Sequence, residues 1–173
     1  MYLISAYFDG KADRTLTRYI NGIAEVTGNQ FMIENHVPAH MTILSVEAPS
    51  QDVLTEQFVN TVKSLESGEI IIPSVGQLLP YVFYATPVMN EYLLSMQKKM
   101  IDGFNDIDKV SVSKYYSKDS WLPHITLGKT LNEEQMRKAF EYSQKHFSPL
   151  TAKIIKIGLA KTNPHEDILI HDF

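Results

Sequence analysis

Apolar residues along this chain switch between two periods, and the switch recurs in the same order twice. YLISAYF (2–8) is a continuous apolar and aromatic run and reads as a buried strand. ADRTLTRYINGIAEVT (12–27) places Leu16, Ile20, Ile23 and Val26 at helical spacing, and Gly28 supplies a stop. HMTILSV (40–46) is a short β-prone run. DVLTEQFVNTVKSL (52–65) repeats apolar residues at Val53, Leu54, Phe58, Val62 and Leu65, which predicts an amphipathic helix. GEIIIPSVGQL (68–78) closes the first half as an extended segment whose Pro73 places it at a sheet edge or a bulge.

The second half repeats the cycle. YVFYAT (81–86) predicts a strand, and VMNEYLLSMQKKMIDGF (88–104) predicts a helix ending near Gly103. HITLGK (124–129) is again β-prone. EEQMRKAFEYSQKHF (133–147) is helical with Asn132 as its cap, LTAKIIKIGLA (150–160) is a strand, and EDILIHDF (166–173) adds one more. Each half therefore runs strand, helix, strand, helix, strand. The expectation is an α+β fold of two lobes, roughly 1–79 and 80–173, related by a pseudo-twofold axis about a central cleft. No Gly/Ser-rich or Pro-rich linker divides the halves, so 1–173 is expected to be one domain.

Composition narrows the function classes. At 173 residues, 44% hydrophobic and 21% charged, the chain has the balance of an ordinary globular domain. No apolar run is long enough to span a bilayer. MYLISAYFDG lacks the basic n-region and small-residue site of a signal peptide and reads as a first strand. The absence of cysteine removes disulfides, thiolate zinc sites and a cysteine nucleophile, and suits a cytoplasmic setting. A net charge of −4 argues against a protein that coats a long nucleic acid tract, but a nucleotide or an RNA terminus needs only a local pocket.

One short pattern occupies the same place in both cycles. VPAHMTILS (37–45) and WLPHITLGK (121–129) each write Pro, then His, any residue, Thr and an aliphatic. Side chains two apart on a strand share a face, so His40 and Thr42 point together while Met41 and Ile43 pack behind. His124, Thr126 and Gly128 likewise share a face, backed by Ile125 and Leu127, and Gly128 is expected to leave open space beside the polar pair. A pseudo-twofold axis would bring both pairs to one cleft. Two imidazoles and two hydroxyls suit in-line displacement at phosphorus. A neutral imidazole takes a proton from the attacking oxygen, and a protonated one gives a proton to the leaving oxygen. The hydroxyls donate to non-bridging oxygens, and the scheme calls for no metal or other cofactor.

PAHMTIL and LPHITLG resemble the paired His-x-Ser/Thr-aliphatic motifs of the 2H phosphoesterase superfamily, which includes RNA 2′,5′-ligase-like proteins and cyclic nucleotide phosphodiesterases. The resemblance extends over nearly the whole chain in size, element order and motif separation. It implies a bilobed fold with both motifs lining a central cleft, and metal-free hydrolysis of 2′,3′-cyclic phosphates or reversible 2′,5′ phosphodiester formation. It also implies His40 and His124 as acid and base, with Thr42 and Thr126 as phosphate ligands. Ligation, cleavage of a cyclic oligonucleotide, and a non-catalytic module that holds an RNA end or a nucleotide in the same cleft stay open as alternatives. The sequence sets no oligomeric state and does not say which histidine is the base.

Other residues carry weaker signals. His36 lies four before His40, but Pro38 between them opposes a helical metal pair and no acidic residue completes the set. His146 falls at a helix end, where a cation favours the dipole, and His165 and His171 flank the last strand with surface placement as the default. SKYYSKDSW (113–121) combines Tyr115, Tyr116 and Trp121 with Lys114 and Lys118, offering rings for a base and lysines for a phosphate. Arg14, Arg18 and Arg137 all sit in helical patterns, so no arginine presents itself for the cleft.

Overall fold

The computed structural model describes residues 1–162 and 164–173. The chain runs β1 (Tyr2–Phe8), α1 (Gly10–Thr27), a single-turn α2 (Phe31–Glu34), β2 (Met41–Glu47), α3 (Asp52–Val62), β3 (Gly68–Ile72) and β4 (Ser74–Leu78). It continues with β5 (Val82–Thr86), α4 (Glu91–Phe104), a two-residue β6 (Ser111–Val112), a 3₁₀ turn at Lys114–Tyr116, β7 (Ile125–Gly128), α5 (Glu133–His146), β8 (Leu150–Lys161) and β9 (Glu166–Asp172). The expected α+β fold and its doubled strand–helix order are present, with α2, β6 and the 3₁₀ turn added in the loops that precede the two motifs.

Local chemistry accounts for where the helices begin and end. The Asp9 carboxylate accepts from the backbone of Lys11 and Ala12 at the start of α1, and also from Lys153 N at 2.8 Å, which ties the helix to β8. Gly28 closes α1 in the left-handed region at φ 71°, where a side chain would be strained. Asn132 and Gln135 form a reciprocal capping box on α5, and Asn90 caps α4. One detail of the periodicity is corrected. Val26 is exposed, and Tyr19 and Ala24 join Leu16, Ile20 and Ile23 on the buried face of α1. α4 ends at Phe104, next to Gly103 as expected; a Cβ at Gly103 would lie 2.4 Å from the Thr61 hydroxyl, so the glycine also lets α4 pack closely on α3.

The strands form one sheet in the order β3-β8-β1-β2-β7-β5-β4, with β6 added on β2 and β9 on β8. The pairings along it are antiparallel. β3 and β4 occupy opposite ends of this path, yet only Pro73 separates them in sequence. The sheet must therefore curl until its two edges nearly meet. Pro73 suits that corner because it has no N–H to offer either ladder. The sequence halves also exchange strands: β8 pairs with β1 and β3 of the first half, while β4 pairs with β5 of the second. A division near residue 80 marks the repeat of pattern but not two self-contained lobes.

One face of the curled sheet contributes Ile4, Met41, Ile43, Phe83, Ile125 and Leu127 to a core shared with the helices, all essentially fully buried. The alternate positions of the same strands look into a cleft. Among the described residues, no helix is long and apolar enough to cross a membrane.

Candidate active site

β2 and β7 lie side by side, registered at the single pair Met41–Ile125. Met41 and Ile125 both point into the core, so the residues on either side of each point into the cleft. Antiparallel counting from that pair sets His40 opposite Thr126 and Thr42 opposite His124. The two motifs thus meet as a crossed square about one point of the sheet, and His40, Thr42, His124 and Thr126 all line a cavity of about 420 Å³. That volume accommodates a ligand of roughly nucleotide size.

Both imidazoles are held in the same way. His40 Nδ1 lies 2.8 Å from the Pro38 carbonyl and His124 Nδ1 lies 2.8 Å from the Leu122 carbonyl. A carbonyl oxygen only accepts, so each Nδ1 carries a hydrogen and each neutral ring offers its Nε2 lone pair. The proline of each motif serves this geometry from a different place. Pro38 itself supplies the acceptor for His40, whereas in the second motif the acceptor is Leu122. The carbonyl of the intervening Pro123 instead takes the Thr86 hydroxyl at 3.0 Å, fastening the segment to β5.

The surroundings of the rings differ. His40 is 9% exposed, and burial pushes its pKa down to about 4, against the raising effect of the Pro38 hydrogen bond. Positive charge on His165 or His124 opposes its protonation further. His124 is half-buried; burial lowers its pKa too, and the Leu122 hydrogen bond offsets part of the effect. Tyr84 meets the His124 ring edge-on at 5.5 Å.

The rest of the lining both extends and corrects the sequence expectations. Tyr115 and Tyr116 do face the cleft, Tyr115 on the rim at 68% exposed with Lys114 Nζ 5.3 Å from its ring centroid. Buried Gln97 of α4 donates to the Tyr116 carbonyl at 3.0 Å and holds the turn in place. Trp121 does not line the cleft. It is 8% exposed, in the core, and its indole N–H donates to the Thr42 carbonyl at 3.1 Å. The ring therefore supports the motif strand from behind. Gly128 is likewise not beside open space: a Cβ there would sit 3.1–3.3 Å from Leu131 and Ile23, so it faces the packing against α1. The strand register shifts between Phe83 and Tyr84, opposite Gly128 and Thr126, which breaks the simple alternation at this point.

Two contributors to the cleft stand outside the His-x-Thr pairs themselves. Lys129, the residue after β7, is the lysine of the cleft, its Nζ 5.3 Å from the centroid of Phe31, which lines the same wall. His165 was expected at the surface, but its side chain is 7% exposed and lines the cleft with its ring 5.4 Å from His40. It arrives there in the turn joining β8 to β9, alongside Tyr7 of β1 and Asp167. His36 turns away into a separate shallow groove. Among the described residues, no group of three or more His, Asp or Glu converges as a metal-ligating set. Lys129 closes the WLPHITLGK stretch and could have been weighed from it, whereas nothing near His165 in sequence announces its partners.

Comparison with known proteins bears on the family and the fold. A family model described as the 2′-5′ RNA ligase superfamily matches residues 18–166. No curated protein sequence matches the chain. Among solved structures, TT0787 of Thermus thermophilus is similar over 99% of this chain and 96% of its own, with a TM-score of 0.66 and 14% identity. E. coli LigT, solved in complex with 3′-AMP, is similar over 99% and 97% with a TM-score of 0.62 and 10% identity. Usb1 of Kluyveromyces marxianus is similar over the same shares with a TM-score of 0.53 and 10% identity. At these identities the likeness is one of fold.

Proposed function

The chain belongs to the 2′-5′ RNA ligase superfamily, and on that premise we propose that its cleft hydrolyses a 2′,3′-cyclic phosphate or a 2′,5′-linked nucleotide or RNA end, with His40 and His124 as proton acceptor and donor and no metal in the step. Membership and fold support phosphoesterase or ligase-like chemistry in general. The observation that carries the finer reading is the matched pair of Nδ1–H to carbonyl bonds, which leaves Nε2 as the lone-pair nitrogen on two motif histidines that line one cavity.

The step balances with water as the only co-reactant. One neutral Nε2 takes a proton from water as its oxygen attacks phosphorus. The bond from phosphorus to the leaving ribose oxygen breaks, and the other imidazole, protonated at Nε2, gives that oxygen its proton. The Thr42 and Thr126 hydroxyls donate to non-bridging oxygens, where charge builds as the fifth ligand approaches. The two rings end with protonation states exchanged and return through solvent. Run backwards with a ribose hydroxyl as nucleophile, the same residues would perform ligation.

Both histidines favour the neutral form in the free protein, so the donor must gain its proton when an anionic phosphate enters. A nearby negative charge favours the cationic imidazole and supplies that coupling. Tyr115 and Tyr116 on one side offer faces for a base, and Lys129 on the other offers a cation. LigT was solved with 3′-AMP, the product that breaking the P–O2′ bond of a 2′,3′-cyclic phosphate leaves, and a product of that kind is the one we expect here.

The test is hydrolysis of the four nucleoside 2′,3′-cyclic phosphates in EDTA, wild type against His40→Ala and His124→Ala, with product analysis. Turnover by the wild type alone is the expected result. Full activity in either variant would sink the two-histidine mechanism. Loss of turnover in EDTA that added metal restores would sink its metal independence.

A further inference from the structure

The motifs alone do not distinguish their histidines, since each ring is fixed by the same bond to the carbonyl two residues before it. The difference comes from outside both motifs. His40 faces the His165 ring at 5.4 Å and the Tyr7 ring at 6.5 Å, whereas the aromatic neighbour of His124 is Tyr84. We propose that His165, held by Asp167 and Tyr7, is a positioning residue that makes the two motif histidines unequal, keeping His40 the proton acceptor and leaving His124 the proton donor. The inference deepens the phosphodiester reading above and rests on it for the meaning of acceptor and donor.

The hydrogen bonds determine how His165 is held. Tyr7 has a single hydroxyl hydrogen and gives it to Asp167 Oδ1 at 2.5 Å. His165 Nε2 lies 3.2 Å from that same carboxylate oxygen and 3.2 Å from the Tyr7 oxygen. A carboxylate only accepts, and the Tyr7 hydrogen is already committed, so Nε2 of His165 must be the donor. A second proton on this ring goes to Nδ1 and leaves a full positive charge beside a carboxylate. Burial alone would raise the Asp167 carboxyl, but the bonds from His165 and Tyr7 outweigh it and hold Asp167 below the usual carboxylate range. Asp167 is thus an anion in direct contact with the His165 ring.

The fold has room built for this arrangement. Tyr7 must cross β8 to reach Asp167, and it does so over Gly158, where a Cβ would fall 2.7 Å from the tyrosine ring. The backbone N–H of His165 donates to the Asn35 carbonyl at 3.2 Å, fastening the β8–β9 turn to the segment that leads into the first motif. His165 is therefore anchored to the His40 side of the cleft. The titratable and charged groups around His40 are Tyr7 from β1, His124 and Lys129 from β7 and its end, Tyr116 from the 3₁₀ turn, and His165 with Asp167 from the last hairpin. Of these, His165 is the imidazole whose ring packs against that of His40, at 5.4 Å between centroids.

A cation at that distance disfavours a second proton on His40. The effect is about half a pH unit even at the full screening of water, and larger in a partly buried cleft. Among the described residues His124 has no such neighbour, and it gains the proton of the pair more readily when substrate enters.

The experiment is titration of each histidine by ¹H–¹⁵N NMR in the substrate-free protein, wild type against His165→Gln and His165→Lys. We expect His165→Gln to raise the His40 titration midpoint by about half a pH unit or more and to leave that of His124 in place. The permanent cation in His165→Lys should hold the His40 midpoint at or below the wild-type value. In the rate profile, the acid limb of kcat/KM should move up with His40 in His165→Gln, and the alkaline limb should stay. An unmoved His40 midpoint, or equal movement of both histidines, would overturn the proposal. The titration needs no turnover, so inactivity toward cyclic phosphates would count against the phosphodiester reading without being mistaken for failure here.

Discussion

Replacing His40 by Asn tests the electrostatics of the cleft without reference to any substrate. Burial carries the His40 pKa from 6.5 to about 4. Between those values the unfolded chain binds a proton at this position that the folded chain refuses, so acidification favours unfolding. At about pH 5 the unfolded histidine is almost wholly protonated and the folded one about one-tenth protonated. The linked cost to the wild type is then about 2 kcal/mol, against roughly 0.2 kcal/mol at pH 7. Asn cannot titrate, and its amide N–H can reach the Pro38 carbonyl much as Nδ1–H does. The variant pays a fixed packing cost but escapes the pH-dependent one. Urea denaturation of both proteins at pH 7, 6 and 5 should show their stability gap moving in favour of Asn by about 2 kcal/mol across the series. Other titrating groups cancel in the comparison. A gap that stays constant with pH would refute the claim that His40 is held neutral by its surroundings.

Two further outcomes follow from the site. Thr126→Val keeps shape and strand propensity but removes a donor, and should lower kcat by about ten- to a thousandfold, with circular dichroism unchanged. Trp121→Phe leaves the Thr42 carbonyl without its indole donor and should cost about 1–3 kcal/mol in thermal or urea unfolding. A neutral result there would mean that the tryptophan does not support the motif strand.

Much of this site was legible in the sequence because its core is encoded locally. A period of two sets His40 with Thr42 and Met41 with Ile43 on opposite faces, whatever the strand pairs with, and the structure keeps that alternation. The period of 3.6 and the Asn132 cap likewise located α1 and α5 to within a few residues. The same reasoning failed at Gly128, where the register shift opposite β5 turned an expected opening into a packing contact. It failed at Trp121 because an aromatic beside a motif can serve the cleft from the front or the strand from behind, and composition does not say which.

By itself, then, the sequence determined the doubled order of elements, the two His-x-Thr strands and the side of each strand that faces the cleft. These follow from backbone periodicity and from residues within a turn or two of one another. Only the tertiary structure decided that β3 and β4 part at Pro73 to curl the sheet, and that β8 crosses to pair with β1. That crossing brings the β8–β9 turn over β1 and sets His165 against His40 and Tyr7. Tyr7 and Asp167 meet across 160 positions of sequence, through a pairing whose partners leave no periodic trace in either strand. The inequality of the two histidines arises there, because burial and neighbouring charge belong to the assembled cleft and not to the motif.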